Sequence, residues 1–442
     1  MRAEQLTAYR QVSECKDKHI LGIPQRPIVH ILIKSYLNDI KFTVMMTPLK
    51  MLLSVAFATT ALAGFAQRTA PVFTTIKANA ITSVKDQNRS GTCWDYATCG
   101  FLESEILRKT GKTVDLAEMY VAYQDYLDCA DYHIRMHGNS RFSEGGSCDD
   151  VVSVIKRFGI VPEEAMTRPG AMVGDSLANF NEFFPALEAY VNNYADSKQT
   201  SITTQWRQGM TGILDAYLGT YQKEFSYGGK RYTPQSFAAS LGLDWDDYVS
   251  VTSYTHHPFN EWMVIEAPYK WRPRPSFNIP LDQMMAVIDN ALAHGYCVAW
   301  GGDVSGDNFS RSGIGLALDK QKAYSLAGSD AERWLKLPKA QQKSKLDSLG
   351  VDAPEVTPTQ ALRQKYFDTW ESTYDHVMLI FGTAKDKNGK EYYMVKNSWG
   401  DYGNYHGIWY LSKSFVAMYT TYIFLNKHAL DKRLLDKMAV RF

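Results

Sequence analysis

The twelve residues "DQNRSGTCWDYA", Asp86 to Ala97, decide how the chain is read. A lone cysteine, Cys93, follows a flexible Gly91-Thr92 step, opens an amphipathic run, and has Gln87 six residues upstream. Residues 93 to 109 read as a helix, with Trp94, Ala97, Phe101, Leu102 and Ile106 at helical spacing and Thr92 with Asp95 as a capping pair. A thiol is mostly protonated at neutral pH, and the partial positive charge of a helix N-terminus helps hold it as thiolate. Two readings stand open at this point. Cys93 is either a small buried hydrophobe at a helix start, or a nucleophile whose backbone N–H and the Gln87 side-chain amide face a developing oxyanion.

A nucleophilic thiol needs a base, and the chain holds ten histidines. His133, His137 and His406 read as residues of polar loops, and His294 stands beside a helix end. The adjacent His256 and His257 lack further spaced ligands, so no metal site is expected there. His376 differs: it opens the apolar run "YDHVMLIFG", and 21 residues later "KNSWG" places Asn397 at the end of the next strand-like run. In a hairpin, the start of one strand meets the end of its neighbour. Asn397 is thereby placed to fix the tautomer of His376, with Trp399 shielding their bond from water.

Around these motifs, helices come first and strands last. Helical patterns recur near 116–128, from Asp149 to Phe158, in "NEFFPALEAYVNNYA", in "QWRQGMTGILDAYLGTYQ", in "PLDQMMAVIDNALAHG" and at 427–438. Strand signals cluster at "YCVAW", "HVMLIFGTA", "YYMVK", "GIWYL" and "TYIFL". This order predicts an α+β protein with a helical lobe and a β lobe.

Lys and Arg total 48 against 47 Asp and Glu, with no basic run, so no nucleic-acid partner is expected. Six cysteines without a CxxC pair exclude a disulfide scaffold and a zinc ribbon. The segment from Met45 to Gln67, "MMTPLKMLLSVAFATTALAGFAQ", has the three-part layout of a secretory signal peptide, and its apolar stretch is short for a membrane span. Residues 1–44 then read as an upstream mis-start or extension, 45–66 as the signal peptide, and 67–442 as the mature domain, periplasmic or secreted and without a stable membrane anchor. An uncleaved segment would leave the protein cytoplasmic or membrane-anchored.

Together, "QNRSGTCWDYA", "YDHVMLIFG" and "KNSWG", in the order Cys, His, Asn, resemble the papain superfamily of cysteine peptidases. "EGGS" at Glu144 to Ser147, followed by "VIKRFGIVPEE", is similar to that family's paired glycines and the helix after them. The resemblance implies a papain-like fold with a β-barrel-like second lobe, a Cys93-His376-Asn397 triad with Gln87 as oxyanion donor, and a cleft lined by Gly145, Gly146 and Trp399. It implies peptide substrates and no cofactor. Cys93 and His376 lie 283 positions apart, which requires a large insertion, placed at about 170–275, and Ser90 and Ser143 stand where secreted papains carry a disulfide. Both departures, with "PLDQMMAVIDNALAHGYCVAWGGDVS" and "FLNKHALDKRLLDKM", look like the bleomycin hydrolase and aminopeptidase C branch. That branch implies aminopeptidase action through a C-terminal arm, and a homo-hexamer. Only about "AVRF" follows the last helix here, which leaves endopeptidase action open as an alternative. The same residues would also serve an acyl transferase or amidohydrolase, and a silent binding module stays open as well. Cys99, Cys129, Cys148 and Cys297 are expected as buried free thiols, with a Cys129–Cys148 bridge as the oxidised alternative.

Overall fold

The computed structural model describes residues 70–439 apart from 168–171, 174–176, 321, 323–336, 339–340, 342–343 and 345–348. The expected signal peptide and the segment before it lie outside the described residues. Among the described residues, no helix is long and apolar enough to cross a membrane.

The helical lobe is built on α1 (Cys93–Thr110), α2 (Glu118–Arg135) and α3 (Cys148–Phe158). Every residue of α1 from Trp94 to Ile106 is buried except Tyr96, so this is a central helix covered on nearly all sides. Its buried acids have partners: Glu103 accepts from Thr82 Oγ1 (2.6 Å), Lys85 Nζ (3.0 Å) and the Leu116 N–H (2.9 Å), and Glu105 accepts from Asn426 Nδ2 (2.7 Å). The expected Thr92–Asp95 capping pair does not form. Thr92 makes no side-chain cap; its hydroxyl meets Ser90 Oγ at 2.6 Å, and Asp95 Oδ1 instead accepts from Cys99 Sγ (3.3 Å). Helix α3 has a true capping box, in which Asp150 Oδ2 accepts from the Ser147 N–H at 2.8 Å. It stops at Gly159, whose φ of +80° suits glycine.

The insertion contributes α4 (Phe183–Ala195), α5 (Gln205–Tyr217) and α6 (Pro234–Ser240). Among the described residues, the helices after it are α7 (Leu281–Ala293), α8 (Gln360–Asp368), α9 (Lys413–Tyr419) and α10 (Lys432–Met438).

The β lobe is one mixed sheet of eleven strands. They are β1 (Thr74–Ala78), β2 (Tyr248–Thr252), β3 (Glu261–Val264), β4 (Pro275–Asn278), β5 (Val298–Gly302), β6 (Phe309–Ser310), β7 (Ile314–Gly315), β8 (His376–Lys385), β9 (Glu391–Lys396), β10 (Ile408–Ser412) and β11 (Thr420–Asn426). The strands run in the order β6-β7-β10-β9-β8-β5-β11-β2-β4-β3, with β1 paired to the far half of β8. Both faces of the central strands are buried, which is why β8 reads as a continuous apolar run rather than an alternating one. Val377, Leu379 and Phe381 join the core shared with α1, whereas Met378 and Ile380 join a second core with α7 and α9. Strands β8 and β9 form the expected hairpin, and β2 to β4 carry the end of the insertion into the same sheet.

Candidate active site

Helix α1 begins at the foot of β8, and the two together open a cavity of about 520 Å3. Gln87, Cys93, Gly145, Gly146, His376 and Trp399 all line it. Cys93 is half-buried. The backbone N–H groups of Val377, the residue after His376, and of Trp94 face its Sγ and favour the thiolate. Burial pushes the thiol up to about 12, and the Asp375 carboxylate adds to the rise against those N–H donors.

His376 opens β8 opposite Gly302 of β5, and Asn397 follows the last residue of β9. The imidazole Nε2 lies 2.8 Å from Asn397 Oδ1. That oxygen also accepts the Ser398 N–H at 2.8 Å, which fixes the orientation of the amide. Nε2 is therefore the protonated nitrogen and donates, leaving Nδ1 as the basic one. The amide orientation leaves Asn397 Nδ2 buried without a partner among the described residues. Burial lowers the His376 pKa to about 4, with the Asn397 bond pulling against it. The Trp399 ring packs against the imidazole with centroids 5.2 Å apart.

Gln87 is held on two sides. Its Nε2 donates to the Ser90 carbonyl (2.7 Å), and its Oε1 accepts from Ser398 Oγ (2.6 Å). An amide nitrogen has two hydrogens, so one N–H remains unused. The stretch of chain carrying Gln87 is stitched to the loop after β9: Gln87 N–H donates to Ser398 O (2.8 Å) and Gly400 N–H to Lys85 O (3.0 Å).

The paired glycines form the opposite wall. A Cβ at Gly145 would lie 2.6 Å from the Tyr269 ring, and one at Gly146 would lie 2.9 Å from the Trp94 indole, so both positions need glycine for close approach. Gly146 O accepts from Tyr374 Oη (2.6 Å) and Glu144 O from Trp94 Nε1 (2.9 Å). The Gly145 N–H and C=O have no partner among the described residues.

The structure also brings in residues that sequence reasoning missed. Ser398 and Asp375 sit inside "KNSWG" and "YDH", yet only the fold shows that Ser398 holds Gln87 and that Asp375 accepts from the Val304 N–H (2.9 Å). Asp375 has its pKa pushed up to about 6, by burial first and by Asp303 second. Phe184, Glu188 and Tyr269 also line the cavity and come from the insertion, with no spacing signal to find them.

The expected free thiols are present: Cys93, Cys99, Cys129, Cys148 and Cys297 are all unbridged, and Ser90 Oγ, at one of the absent bridge positions, donates to Gln87 O (2.7 Å). His133 is a correction, since it lies in α2, buried between Ser140 Oγ (2.9 Å) and Asn192 Oδ1 (3.0 Å). His256 and His257 gain Glu266 as a neighbour, at 3.1 and 3.4 Å. The Thr255 N–H donates to Gln364 Oε1 (2.6 Å), so Gln364 Nε2 must donate to His256 Nδ1 (3.0 Å). Neutral His256 then carries its proton on the Nε2 that faces Glu266; the ligand-type atoms of His256, His257 and Glu266 lie within 4.8 Å of one another, a third group that the sequence spacing does not show.

Comparison with known proteins agrees with this geometry. Residues 71–226 match the papain family cysteine protease model, and residues 344–441 match the Peptidase C1-like family. The chain belongs to the papain-family cysteine peptidases. Relatives that match it along most of its length are named aminopeptidases C, E and G. Aminopeptidase G of Lactobacillus delbrueckii subsp. lactis is 22% identical, over 79% of this chain and 82% of that protein. Aminopeptidase C of Lactococcus lactis subsp. cremoris is 22% identical over 79% and 81%. Among solved structures, pepw from Lactobacillus rhamnosis HN001 superposes with a TM-score of 0.63 at 19% identity, covering 99% of this chain and 95% of that one, and shares its fold.

Proposed function

We propose that Cys93, His376 and Asn397 act as nucleophile, base and orienting amide, and that the enzyme removes residues from the free N-termini of peptides. The observation that carries the first part is the His376 Nε2–Asn397 Oδ1 bond of 2.8 Å, in the same cavity as the Cys93 thiol. With the thiol pKa raised and that of the imidazole lowered, the pair rests neutral at pH 7. As Sγ attacks the scissile carbonyl carbon, its proton passes to His376 Nδ1. The oxyanion takes the Cys93 N–H and the unused Gln87 N–H, and His376 returns the proton to the leaving amine. Water then opens the thioester by the same route in reverse.

The second part rests on the relatives' names and on the free Gly145 backbone, which suits an extended substrate strand. Paired peptides that differ only in a free or acetylated N-terminus test it, with products read by mass spectrometry. Stepwise loss of single residues from the free-amine peptide alone is the expected result. Internal cuts in both peptides would make the enzyme an endopeptidase, and product formation only with an added amine would make it a transferase.

The protonation states give a pH prediction. His376 must be neutral to accept the thiol proton, so kcat/KM holds from neutral pH down to about 5 and falls through about 4 as the imidazole protonates. Asn397 raises the His376 pKa, so Asn397→Ala moves this acid limb to lower pH while reducing the plateau. A limb that stays in place in the variant would mean that another group controls it.

A further inference from the structure

We infer that Tyr374 and Tyr422 are positioning residues of the peptidase, whose hydroxyls form a relay that fixes the Gly145–Gly146 wall relative to His376. The inference deepens the peptidase reading and rests on it. Tyr374 lines the cavity, two residues before His376, whereas Tyr422 is not among the lining residues. Tyr374 Oη donates to Gly146 O (2.6 Å) and lies 3.1 Å from Tyr422 Oη. Tyr422 Oη in turn accepts the N–H of Cys148, the first residue of α3, at 3.2 Å. A phenol has one proton, and Tyr374 gives its own to a carbonyl, so Tyr422 is the donor between the two hydroxyls. The Cys148 sulfur, 3.5 Å from Tyr422 Oη, is the weaker acceptor for that proton. The relay therefore runs one way, from the Cys148 N–H through Tyr422 and Tyr374 to Gly146 O. It satisfies a helix N-terminal N–H that has no partner within α3, and each bond polarises the next.

Both tyrosines are anchored in the β lobe. They are 3% and 0% exposed, and burial holds both phenols well above their ordinary pKa, so each keeps its proton. The backbone on either side of Tyr374 is tied to the sheet and its loops. Thr373 N–H donates to Asp303 Oδ2 (2.8 Å), Thr373 O accepts from Thr421 Oγ1 (3.3 Å), and Asp375 N–H donates to Gly302 O (3.1 Å). Tyr422 stands on β11 opposite Gly301 of β5, and its ring packs on that residue: a Cβ at Gly301 would lie 2.5 Å from the ring. Glycine at 301 leaves the space that the ring fills. The paired glycines belong to the helical lobe and His376 to the β lobe, so the relay joins the two walls of the cleft. Gly145 carries the free backbone N–H and C=O that suit a substrate strand. The relay thereby sets how far that strand lies from His376, and Tyr422 acts on it from outside the cavity.

Tyr374→Phe and Tyr422→Phe each remove one hydroxyl and keep the ring. Each is expected to raise KM about tenfold with kcat within about twofold of wild type, because alignment of the bound strand is lost while the triad is untouched. Tyr422→Phe is the sharper test, since its side chain does not line the cavity. One break interrupts the whole relay, so the double variant should lie within about twofold of either single one. Melting temperatures report whether the variants fold, and should Tyr422→Phe fail to fold, the KM-against-kcat split of Tyr374→Phe decides. Unchanged KM with only a lower melting temperature would make the hydroxyls merely structural and overturn the inference. Losses that fall on kcat, or single-variant losses that multiply in the double variant, would overturn it as well. The same peptide titrated by calorimetry into Cys93→Ala proteins carrying each substitution gives Kd ratios without turnover. Absence of cleavage by the wild-type enzyme would therefore count against the peptidase reading alone.

Discussion

Cys93→Ala is expected to lower single-turnover peptide cleavage by a factor on the order of 10^5, with little change in melting temperature. The side chain is half-buried at the mouth of the cavity, and its removal leaves no hydrogen-bond donor without an acceptor except the Val377 and Trp94 N–H groups that face Sγ. His376→Ala is expected to cost about as much, because a thiol whose pKa is pushed up to about 12 is a poor nucleophile without a base to take its proton. Groups that act as one unit are not additive, so the double variant should be no slower than either single one. Cleavage within about tenfold of wild type in Cys93→Ala would place the chemistry elsewhere.

Gln87→Ala carries the second large effect, a loss of about 10^2 to 10^3 in kcat with KM nearly unchanged. The reason is geometric. Ser90 O and Ser398 Oγ hold the Gln87 amide from either side, so its remaining N–H is fixed before substrate arrives. Donors placed in advance act on charge that develops only in the transition state, which is why the loss falls on kcat. Gln87→Glu preserves the shape but replaces the donor by an acceptor, and it should lose at least as much. A loss that appears in KM, or in the denaturation midpoint instead of kcat, would show that Gln87 merely braces the loop at Ser398.

The parts of the fold that are legible in the sequence are those whose signals are local. Helix α1 announces itself by its apolar spacing and closes at Gly111, and the β8–β9 hairpin follows from two apolar runs around "DKNGKE". From that hairpin alone, the meeting of His376 with Asn397 can be inferred. The cap of α1 escapes such a reading because Thr92 turns to Ser90, a tertiary choice with no trace in the Thr-x-x-Asp pattern. Strands β2 to β4 are not legible: they are short, separated by connections that contain Pro258 and Pro268, and pair with each other and with β11 far along the chain. Strand β1 is exposed along its length and so lacks alternation. The site divides in the same way. Cys93, Gln87, His376, Asn397 and the two glycines stand in compact motifs, whereas Glu188 and Tyr269 reach the cleft only because the insertion folds back over it.

The most direct test of Cys93 as the nucleophile is to trap its acyl-enzyme. A short peptide ester is mixed with the enzyme, the reaction is quenched in acid within milliseconds, and the protein is digested and mapped by mass spectrometry. A thioester on Cys93, absent from Cys93→Ala and accumulating when His376 is replaced by glutamine only at a greatly reduced rate, is the predicted result. An acyl group on Cys99, Cys129, Cys148 or Cys297, or turnover with no acyl-cysteine at any time point, would contradict it.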